Sequence, residues 1–170
     1  VQSAEVRPLP VEVREYVARL QFTALSNILS VQTLNRHQNN LRLHHINIDN
    51  DTVTQVLEET DDAYVDVHDN LTYMSNNHFI WTSERDGYNH LYYYSASGKL
   101  IKQLTKGPWE VTDFYGLDTK TKTVYFQSVE RGSIYRDVFS VGLNGTAKRR
   151  LSTSLGTNSA EFSADFTYYI

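Results

Sequence analysis

The sequence of 170 residues contains no cysteine, one methionine, three prolines and no long apolar run. Without cysteine the chain has no disulfide framework, no thiolate nucleophile and no cysteine-ligated zinc. This lack does not identify a compartment, because a large β domain needs no disulfides. No run approaches the roughly 20 apolar residues that span a bilayer, and no basic-then-apolar N-terminal stretch predicts a secretion signal. We therefore predict no membrane segment in this piece, and its localisation stays open.

An excess of one charge sign is also lacking. The chain carries 16 basic and 20 acidic residues, for a formal net charge of -4 at pH 7. This balance gives no electrostatic reason to expect nucleic acid or an anionic membrane as a partner. The aromatic content favours β structure, because 12 tyrosines and 7 phenylalanines suit a pleated, half-buried surface.

An internal repeat lies between residues 78 and 152. Two stretches of alternating apolar residues, turn glycines and a closing leucine follow one another about 45 to 47 residues apart. The matching positions are Gly87 with Gly132, Gly98 with Gly145, and Leu104 with Leu151. Repeats of this length with several short strands are typical of β-propeller blades. We predict an all-β fold, a partial β-propeller of about three four-stranded antiparallel blades plus the start of another.

The predicted strands divide this propeller domain into five segments. Residues 1–14 form an extended lead-in from a preceding blade, 15–60 the first blade, 61–106 the second, 107–153 the third, and 154–170 the truncated start of the next. The inner strand of the second blade is placed at 63–67 or at 70–74. Asn144-Gly145 predicts a type I′ hairpin turn. Residues 11–20 alternate in polarity and favour a strand over a helix.

A specific motif lies between the second and third predicted blades. It reads Lys106-Gly107-Pro108-Trp109-Glu110-Val111 and is preceded by Glu84-Arg85-Asp86-Gly87-Tyr88-Asn89-His90-Leu91-Tyr92. These residues resemble the propeller of the dipeptidyl peptidase IV group in the prolyl oligopeptidase family, and the resemblance extends over most of the chain. Because it lacks cysteine, the chain resembles bacterial members of the family more than the animal ectodomains, which contain cysteine. Trp109 and Trp81 are expected to be structural.

The resemblance implies an eight-bladed propeller that caps an α/β-hydrolase domain. Members are serine peptidases that release an N-terminal dipeptide whose second residue is proline or alanine, and they need no cofactor. Their nucleophile, aspartate and histidine lie in the hydrolase domain. This chain contains no Gly-x-Ser-x-Gly elbow, so no catalytic residue is assigned here. The implied partners are peptide substrates and the hydrolase domain, and the implied location of the parent is periplasmic or at the cell surface.

A second hypothesis is a stand-alone propeller that binds a ligand or a protein at its mouth and has no peptidase activity. A hydrolase domain encoded beyond residue 170 would favour the peptidase, whereas a closed ring without one would favour the binding propeller. In either case about three blades cannot close a ring. We therefore expect the isolated fragment to self-associate through exposed blade faces.

The adjacent Glu58 and Glu59 invite comparison with the paired glutamates that hold the substrate amino group in this family. In the family that pair sits on a helical insertion in an earlier blade. Here the two glutamates follow an outer strand predicted at 52–57, so we interpret them as a solvated strand end.

No metal site is predicted. His44 and His45 are neighbours on a strand and point to opposite faces, so one ion could not easily take both. The acidic cluster of Glu58, Glu59, Asp61 and Asp62 has no glycine at the bend, and a surface loop of this kind is expected to be solvated. The run from Asp49 to Asp51 does not match the spacing of an EF-hand and is explained by a hairpin turn.

The crossing loop at 153–160 is the candidate functional segment, because loops that connect blades rim the mouth of a propeller. Thr157, Asn158 and Ser159 are the candidate substrate-binding residues. The loop lacks the aromatic and arginine side chains that some relatives place nearby, which leaves these three as weak candidates for direct substrate contact.

Overall fold

A computed structural model describes residues 6–11 and 16–170, and in that part of the chain the regular elements are all β-strands. The strands are β1 (Tyr16–Phe22), β2 (Ile28–Leu34), β3 (Asn40–Asn47), β4 (Thr52–Thr60), β5 (Thr72–Tyr73), β6 (Phe79–Ser83), β7 (His90–Tyr94), β8 (Leu100–Gln103), β9 (Val111–Asp118), β10 (Thr123–Ser128), β11 (Asp137–Gly142) and β12 (Arg149–Arg150). Part of the strand predicted at 11–20, residues 12–15, lies outside the described residues. Residues 16–20 of that predicted strand lie in β1. The all-β prediction is confirmed.

The strands form three four-stranded antiparallel sheets, ordered β1-β2-β3-β4, β5-β6-β7-β8 and β9-β10-β11-β12. Each sheet is therefore a meander in which neighbours in sequence are neighbours in space. The inner strand of the second sheet is Thr72–Tyr73, which matches the alternative at 70–74 and excludes the one at 63–67. The sheets repeat the unit that the sequence predicts, whereas the exact blade boundaries remain a prediction.

The chain divides into two compact units, one ending at Val67 and the other spanning His68–Ile170. The first contains the sheet β1–β4, whose buried apolar side chains include Val31, Leu41, Leu43 and Ile46. Strand β4 continues to Thr60 instead of ending near residue 57, because Arg42 and Leu41 of β3 pair with residues 58 and 59.

The second unit contains the sheets β5–β8 and β9–β12, which share one apolar core. Alternate residues of β10 and β11 point into it, and they pack with Ile80 and Leu91 of the preceding sheet. The buried members of this core are Ile80, Leu91, Leu104, Trp109, Val111, Leu117, Val124, Phe126, Phe139, Val141 and Leu143. Burial of such side chains is the main driving force for two sheets to pack face to face.

The hairpin at Asn144-Gly145 differs from the predicted type I′ turn. Gly145 has a positive φ of 76°, but Asn144 does not, and type I′ requires positive φ at both central residues. The amide of Gly145 donates to the carbonyl of Gly142, and the amide of Gly142 donates to that of Thr146. This is a three-residue loop with its last residue in the left-handed region, and the Ser95–Lys99 hairpin has the same bonds, with Gly98 at φ 81°.

The C-terminal residues form a hairpin-like pairing without an extended strand. Phe162 and Tyr169 form an isolated antiparallel bridge, and Glu161 and Ile170 exchange two backbone hydrogen bonds. Phe162 and Phe166 also pack on Tyr125 of β10, at ring centroid distances of 4.7 and 5.4 Å. Residues 161–170 thus form one short pairing that packs on Tyr125 of the third sheet, and their assignment to a further blade remains a prediction.

Candidate functional site

One end of each sheet is ordered by the same kind of backbone contact. The loop between the second and third strands is hydrogen-bonded to the segment that leaves the sheet. In the first sheet, the amide of Asp61 donates to Asn39 O at 3.1 Å. In the second, the amide of Val111 donates to Asn89 O at 2.8 Å. In the third, the amide of Asn158 donates to Arg136 O at 2.8 Å. Loops that are hydrogen-bonded to the departing segment in this way form an ordered edge for each sheet.

The candidate loop contributes to this edge in the third sheet. Thr157 forms a parallel bridge with Arg136, and both Thr157 and Ser159 are exposed. Asn158 is half-buried, and its side-chain amide donates to Arg136 O at 3.0 Å and to Ser154 O at 3.3 Å. Its amide group is therefore engaged by a backbone carbonyl of its own loop and by one of the loop between β10 and β11. Of the three candidate residues, Thr157 and Ser159 present their side chains to solvent, whereas Asn158 holds the loop in shape.

Asp137 holds this loop in place through side-chain hydrogen bonds, a role that the sequence did not predict. Its side chain is 2% exposed, and Oδ1 accepts a hydrogen bond from Ser152 Oγ at 2.8 Å. Nη1 of Arg131 lies 3.3 Å from Oδ2, and Nη1 of Arg150 lies 3.8 Å from Oδ1. A buried carboxylate requires such partners, because an unpaired charge in the interior is costly. The available signal was an aspartate that opens an apolar strand, with arginines before and after it.

The motif that carries the family resemblance is built into the core. Trp109 is 8% exposed and stands edge-on to the imidazole of His90, with ring centroids 4.9 Å apart. His90 Nε2 lies 3.1 Å from the carbonyl of Gly107, and Nδ1 lies 3.0 Å from Thr105 Oγ1. On the other side, Lys148 Nζ lies 5.0 Å from the centroid of the indole. The expectation that Trp109 is structural is supported by these contacts, which join the two sheets of the second unit.

Trp81 is also part of the structure. It is 1% exposed, and His68 packs on it with ring centroids 4.3 Å apart. Burial raises the pKa of the neighbouring Tyr92, whose hydroxyl lies 3.2 Å from Gln103 Nε2. These aromatic side chains pack within the second sheet and help to hold it together.

The interpretation of Glu58 and Glu59 as a solvated strand end is wrong for Glu59, which is buried, whereas Glu58 is exposed. Both residues lie within β4, and Glu59 is 8% exposed. Glu58 accepts hydrogen bonds from Asn40 Nδ2 at 2.8 Å and from Arg42 Nε at 3.0 Å. Both hydrogen bonds lower the pKa of Glu58, and the bond from Asn40 has the larger effect. The two side chains point to opposite faces of a strand, so they do not form a joint site for an amino group.

The residues weighed as metal ligands do not converge. His44 and His45 are both buried in β3, and His44 Nε2 lies 3.3 Å from Thr33 Oγ1. Within residues 6–11 and 16–170, no group of three or more histidine or carboxylate side chains could hold a metal ion. In the same ranges there is no apolar helix with the length to traverse a bilayer.

The repeated four-stranded meanders and the edge loops of the sheets define the chain as a segment of a β-propeller. The family described as the dipeptidyl peptidase IV N-terminal region matches residues 2–170, and the chain belongs to that family. The resemblance identified from the Trp109 motif is thereby confirmed.

Relatives and solved structures agree with this assignment. The chain is 34% identical to dipeptidyl peptidase 4 of Arthroderma otae over 125 residues, which cover 69% of this chain and 16% of the relative. It is 29% identical to dipeptidyl peptidase 4 of Trichophyton rubrum over 150 residues, covering 84% of this chain and 19% of the relative.

Two bacterial crystal structures are similar in fold. Dipeptidyl peptidase 4 of Porphyromonas gingivalis superimposes with a TM-score of 0.87 at 34% identity, over 96% of this chain and 23% of that one. A dipeptidyl aminopeptidase IV assigned in Bacteroides ovatus gives a TM-score of 0.74 at 29% identity, over 91% and 25%. The chain thus spans a quarter or less of the length of these proteins.

Proposed function

We propose that the protein to which this segment belongs is a serine-type dipeptidyl peptidase, which removes Xaa-Pro or Xaa-Ala dipeptides from peptide N-termini. The observation that carries the proposal is the match of residues 2–170 to the dipeptidyl peptidase IV N-terminal region. In this proposal the nucleophile, its base and the aspartate reside in an α/β-hydrolase domain outside the segment. The resemblance implies a periplasmic or cell-surface location for the parent, which remains a prediction.

The contribution of this segment is to control access to the active site. Sheets whose edge loops are held by hydrogen bonds admit the short or flexible N-terminus of a peptide substrate to the active site and exclude the N-terminus of a folded protein. The edge contacts from Asp61, Val111 and Asn158 support this role, because a loop held by backbone hydrogen bonds keeps a fixed shape at the edge of its own sheet. Selectivity of this kind arises from which substrates reach the catalytic residues, and it needs no catalytic group in these sheets.

The experiment that tests the activity uses the whole protein. A peptide that begins Ala-Pro and a matched peptide that begins Ala-Gly are incubated with it, and mass spectrometry follows loss of the first two residues. We expect rapid loss from the Ala-Pro peptide, slow loss from the Ala-Gly peptide, and inhibition by a serine-reactive fluorophosphonate. Absence of dipeptide release, together with a closed propeller and no fluorophosphonate labelling, would establish the binding propeller instead.

The isolated segment is proposed to self-associate. Apolar side chains are exposed at both described ends, with Leu20 61% and Phe22 60% exposed in β1, and Tyr168 75% and Ile170 88% exposed at the C-terminus. Surfaces of this kind favour association in water. Light scattering on the purified 170-residue chain is expected to give a mass above 19.6 kDa that rises with concentration. A single species of that mass at every concentration would contradict self-association.

A further inference from the structure

The carboxylate of Asp137 occupies a position that recurs in the preceding sheet with different chemistry. His90 opens β7 and pairs with Ser83 of β6, and Asp137 opens β11 and pairs with Ser128 of β10. His90 bonds to the hydroxyl of Thr105, and Asp137 bonds to the hydroxyl of Ser152. Both hydroxyl residues follow the last strand of their sheet. The first residue of the third strand is therefore, in both repeats, the anchor of the segment that leaves the sheet.

The third sheet differs because its anchor is charged. The imidazole of His90 bonds to the segment that leaves its sheet after β8, through the hydroxyl of Thr105 and the carbonyl of Gly107. Asp137 reaches the corresponding segment of its own sheet through Ser152 and also binds Arg131 in the loop between β10 and β11. We call residues 129–136 and 151–160 the paired rim loops.

The paired rim loops also share a short backbone ladder. The amide of Arg136 donates to Gly156 O at 3.1 Å, and the amide of Asn158 donates back to Arg136 O at 2.8 Å. Asn158 Nδ2 lies 3.5 Å from Asp137 Oδ1, at the limit of hydrogen bonding. The ladder residues Arg136, Gly156 and Asn158 are half-buried, so water can compete for their bonds, whereas the carboxylate of Asp137 is buried. This buried carboxylate, bonded to Ser152 and to the partly exposed Arg131, is consequently the element that decides whether the two loops keep one arrangement.

We propose that Asp137 is a positioning residue that fixes the paired rim loops as one rigid edge, and that this edge, through the exposed side chains of Thr157 and Ser159, contacts peptide substrates beyond the dipeptide that is released. The second statement rests on the proposed function. A loop that is ordered before binding loses less conformational entropy when a peptide meets it, so a rigid edge lowers KM for long substrates. A dipeptide amide is too short to reach the edge and does not respond to its order.

The first experiment measures hydrogen exchange by mass spectrometry on the whole protein carrying Asp137→Asn. We expect the amides of 153–160 to exchange about tenfold faster or more, because loss of the charge frees Arg131 and weakens the anchor. Asp118→Asn is the matched control: Asp118 accepts bonds from Thr121 and Lys120 in a turn that joins β9 and β10. It should leave exchange at 153–160 unchanged. Unchanged exchange in the Asp137 variant would overturn the proposal.

The second experiment separates positioning from general stability. In the Asp137→Asn enzyme, KM for a peptide of about ten residues should rise several-fold, with kcat and the KM of a dipeptide amide unchanged. Faster exchange with an unchanged KM for the long peptide would contradict substrate contact while leaving the anchor in place. Should Asp137→Asn fail to fold, Asn158→Ala weakens the same loop and must give the same KM pattern, or the proposal fails. A wild-type protein without any dipeptide release would refute the proposed function alone, because the exchange result is independent of activity.

Discussion

The imidazole of His90 stands at 87° to the indole of Trp109, with ring centroids 4.9 Å apart. His90 is fully buried, and its Nε2 donates to the carbonyl of Gly107, two residues before the tryptophan. The sequence motif that identifies the family is thus one packed unit in which a strand residue holds the loop that carries the tryptophan. In this chain the histidine, glycine and tryptophan of the motif are therefore in mutual contact.

Truncation of Trp109 should destabilise the second unit strongly. The indole is buried between the two sheets, and Lys148 covers its other side. We expect Trp109→Ala to lower the free energy of unfolding by about 3 to 5 kcal/mol, as is usual for removal of a buried aromatic. Urea denaturation followed by tyrosine fluorescence measures this. Tyr168→Ala serves as control, since Tyr168 is 75% exposed and its removal should change stability by less than about 0.5 kcal/mol.

Gly107 should resist substitution more than another glycine with positive φ. Its φ is 147°, and a Cβ there would overlap the indole nitrogen and lie 2.7 Å from Cδ1 of Trp109. Gly87 has a φ of 94°, and a Cβ at that position would have no neighbouring atom within 4 Å. We expect Gly87→Ala to cost about 1 kcal/mol from backbone strain alone, and Gly107→Ala about 3 kcal/mol because the indole must also move. Equal shifts in the urea midpoints of the two variants would show that the steric contact is unimportant.

Glu58 should make the stability of the first sheet depend on pH. The hydrogen bond from Asn40, and then that from Arg42, lowers its pKa below the ordinary 4.5. A carboxylate whose pKa is lower in the folded state stabilises the fold above its unfolded pKa, and this contribution is lost as the pH falls through the folded pKa. The difference in stability between the wild type and Glu58→Gln should therefore be present at about pH 6 and shrink toward about pH 3.

The matched variant for this pH dependence is Asn40→Ala. It removes the bond that contributes most to the lowered pKa of Glu58, and it should weaken the pH dependence without removing the carboxylate. Because the side chain of Glu58 is 37% exposed, the effect is small and requires denaturation curves at several pH values. A wild-type to Glu58→Gln difference that stays constant over the whole range would refute the prediction.

The hairpin at residues 142–146 can be distinguished from a type I′ turn by two substitutions. In the observed loop only Gly145 has positive φ, whereas the side chain of Asn144 accepts bonds from the amide and hydroxyl of Thr146. Gly145→Ala should cost about 1 kcal/mol from left-handed strain, and Asn144→Gly should also destabilise, by about 0.5 kcal/mol, because it removes those bonds. In a type I′ turn Asn144 would itself have positive φ, a conformation that glycine adopts as well as asparagine, so Asn144→Gly would leave stability nearly unchanged. Thermal denaturation of the two variants decides between the turns.

The strands were predictable where burial and alternation agree. Alternation and turn residues predict strands at 28–34, 79–83 and 123–128, and the bounds of β2, β6 and β10 match these ranges. Each is the second strand of its sheet, and its residues are largely buried. The end of β4 was misplaced, because two adjacent glutamates indicate a strand end unless their partners across the strand are known. Asn40 and Arg42 of β3 supply those partners, 16 to 18 residues away in sequence.

The organisation of the rim was less accessible to sequence reasoning. The sequence places Thr157, Asn158 and Ser159 in the loop at 153–160, and their contact with substrate remains a prediction. The residue that holds this loop is Asp137, 21 residues before Asn158. Its burial depends on Arg131 and Ser152, which meet only when β10, β11 and the departing segment are assembled. A single sequence shows an aspartate at a strand start, and the fold alone shows that it is enclosed.

The measurement that tests the central claim most directly compares kcat/KM of the whole protein for two substrates with the same Ala-Pro start. One continues into a flexible tail, and the other continues within a few residues into a compact folded domain. If the propeller limits access to flexible N-termini, release from the flexible substrate should be faster by at least about tenfold. Equal values for the two substrates would show that the propeller does not control access.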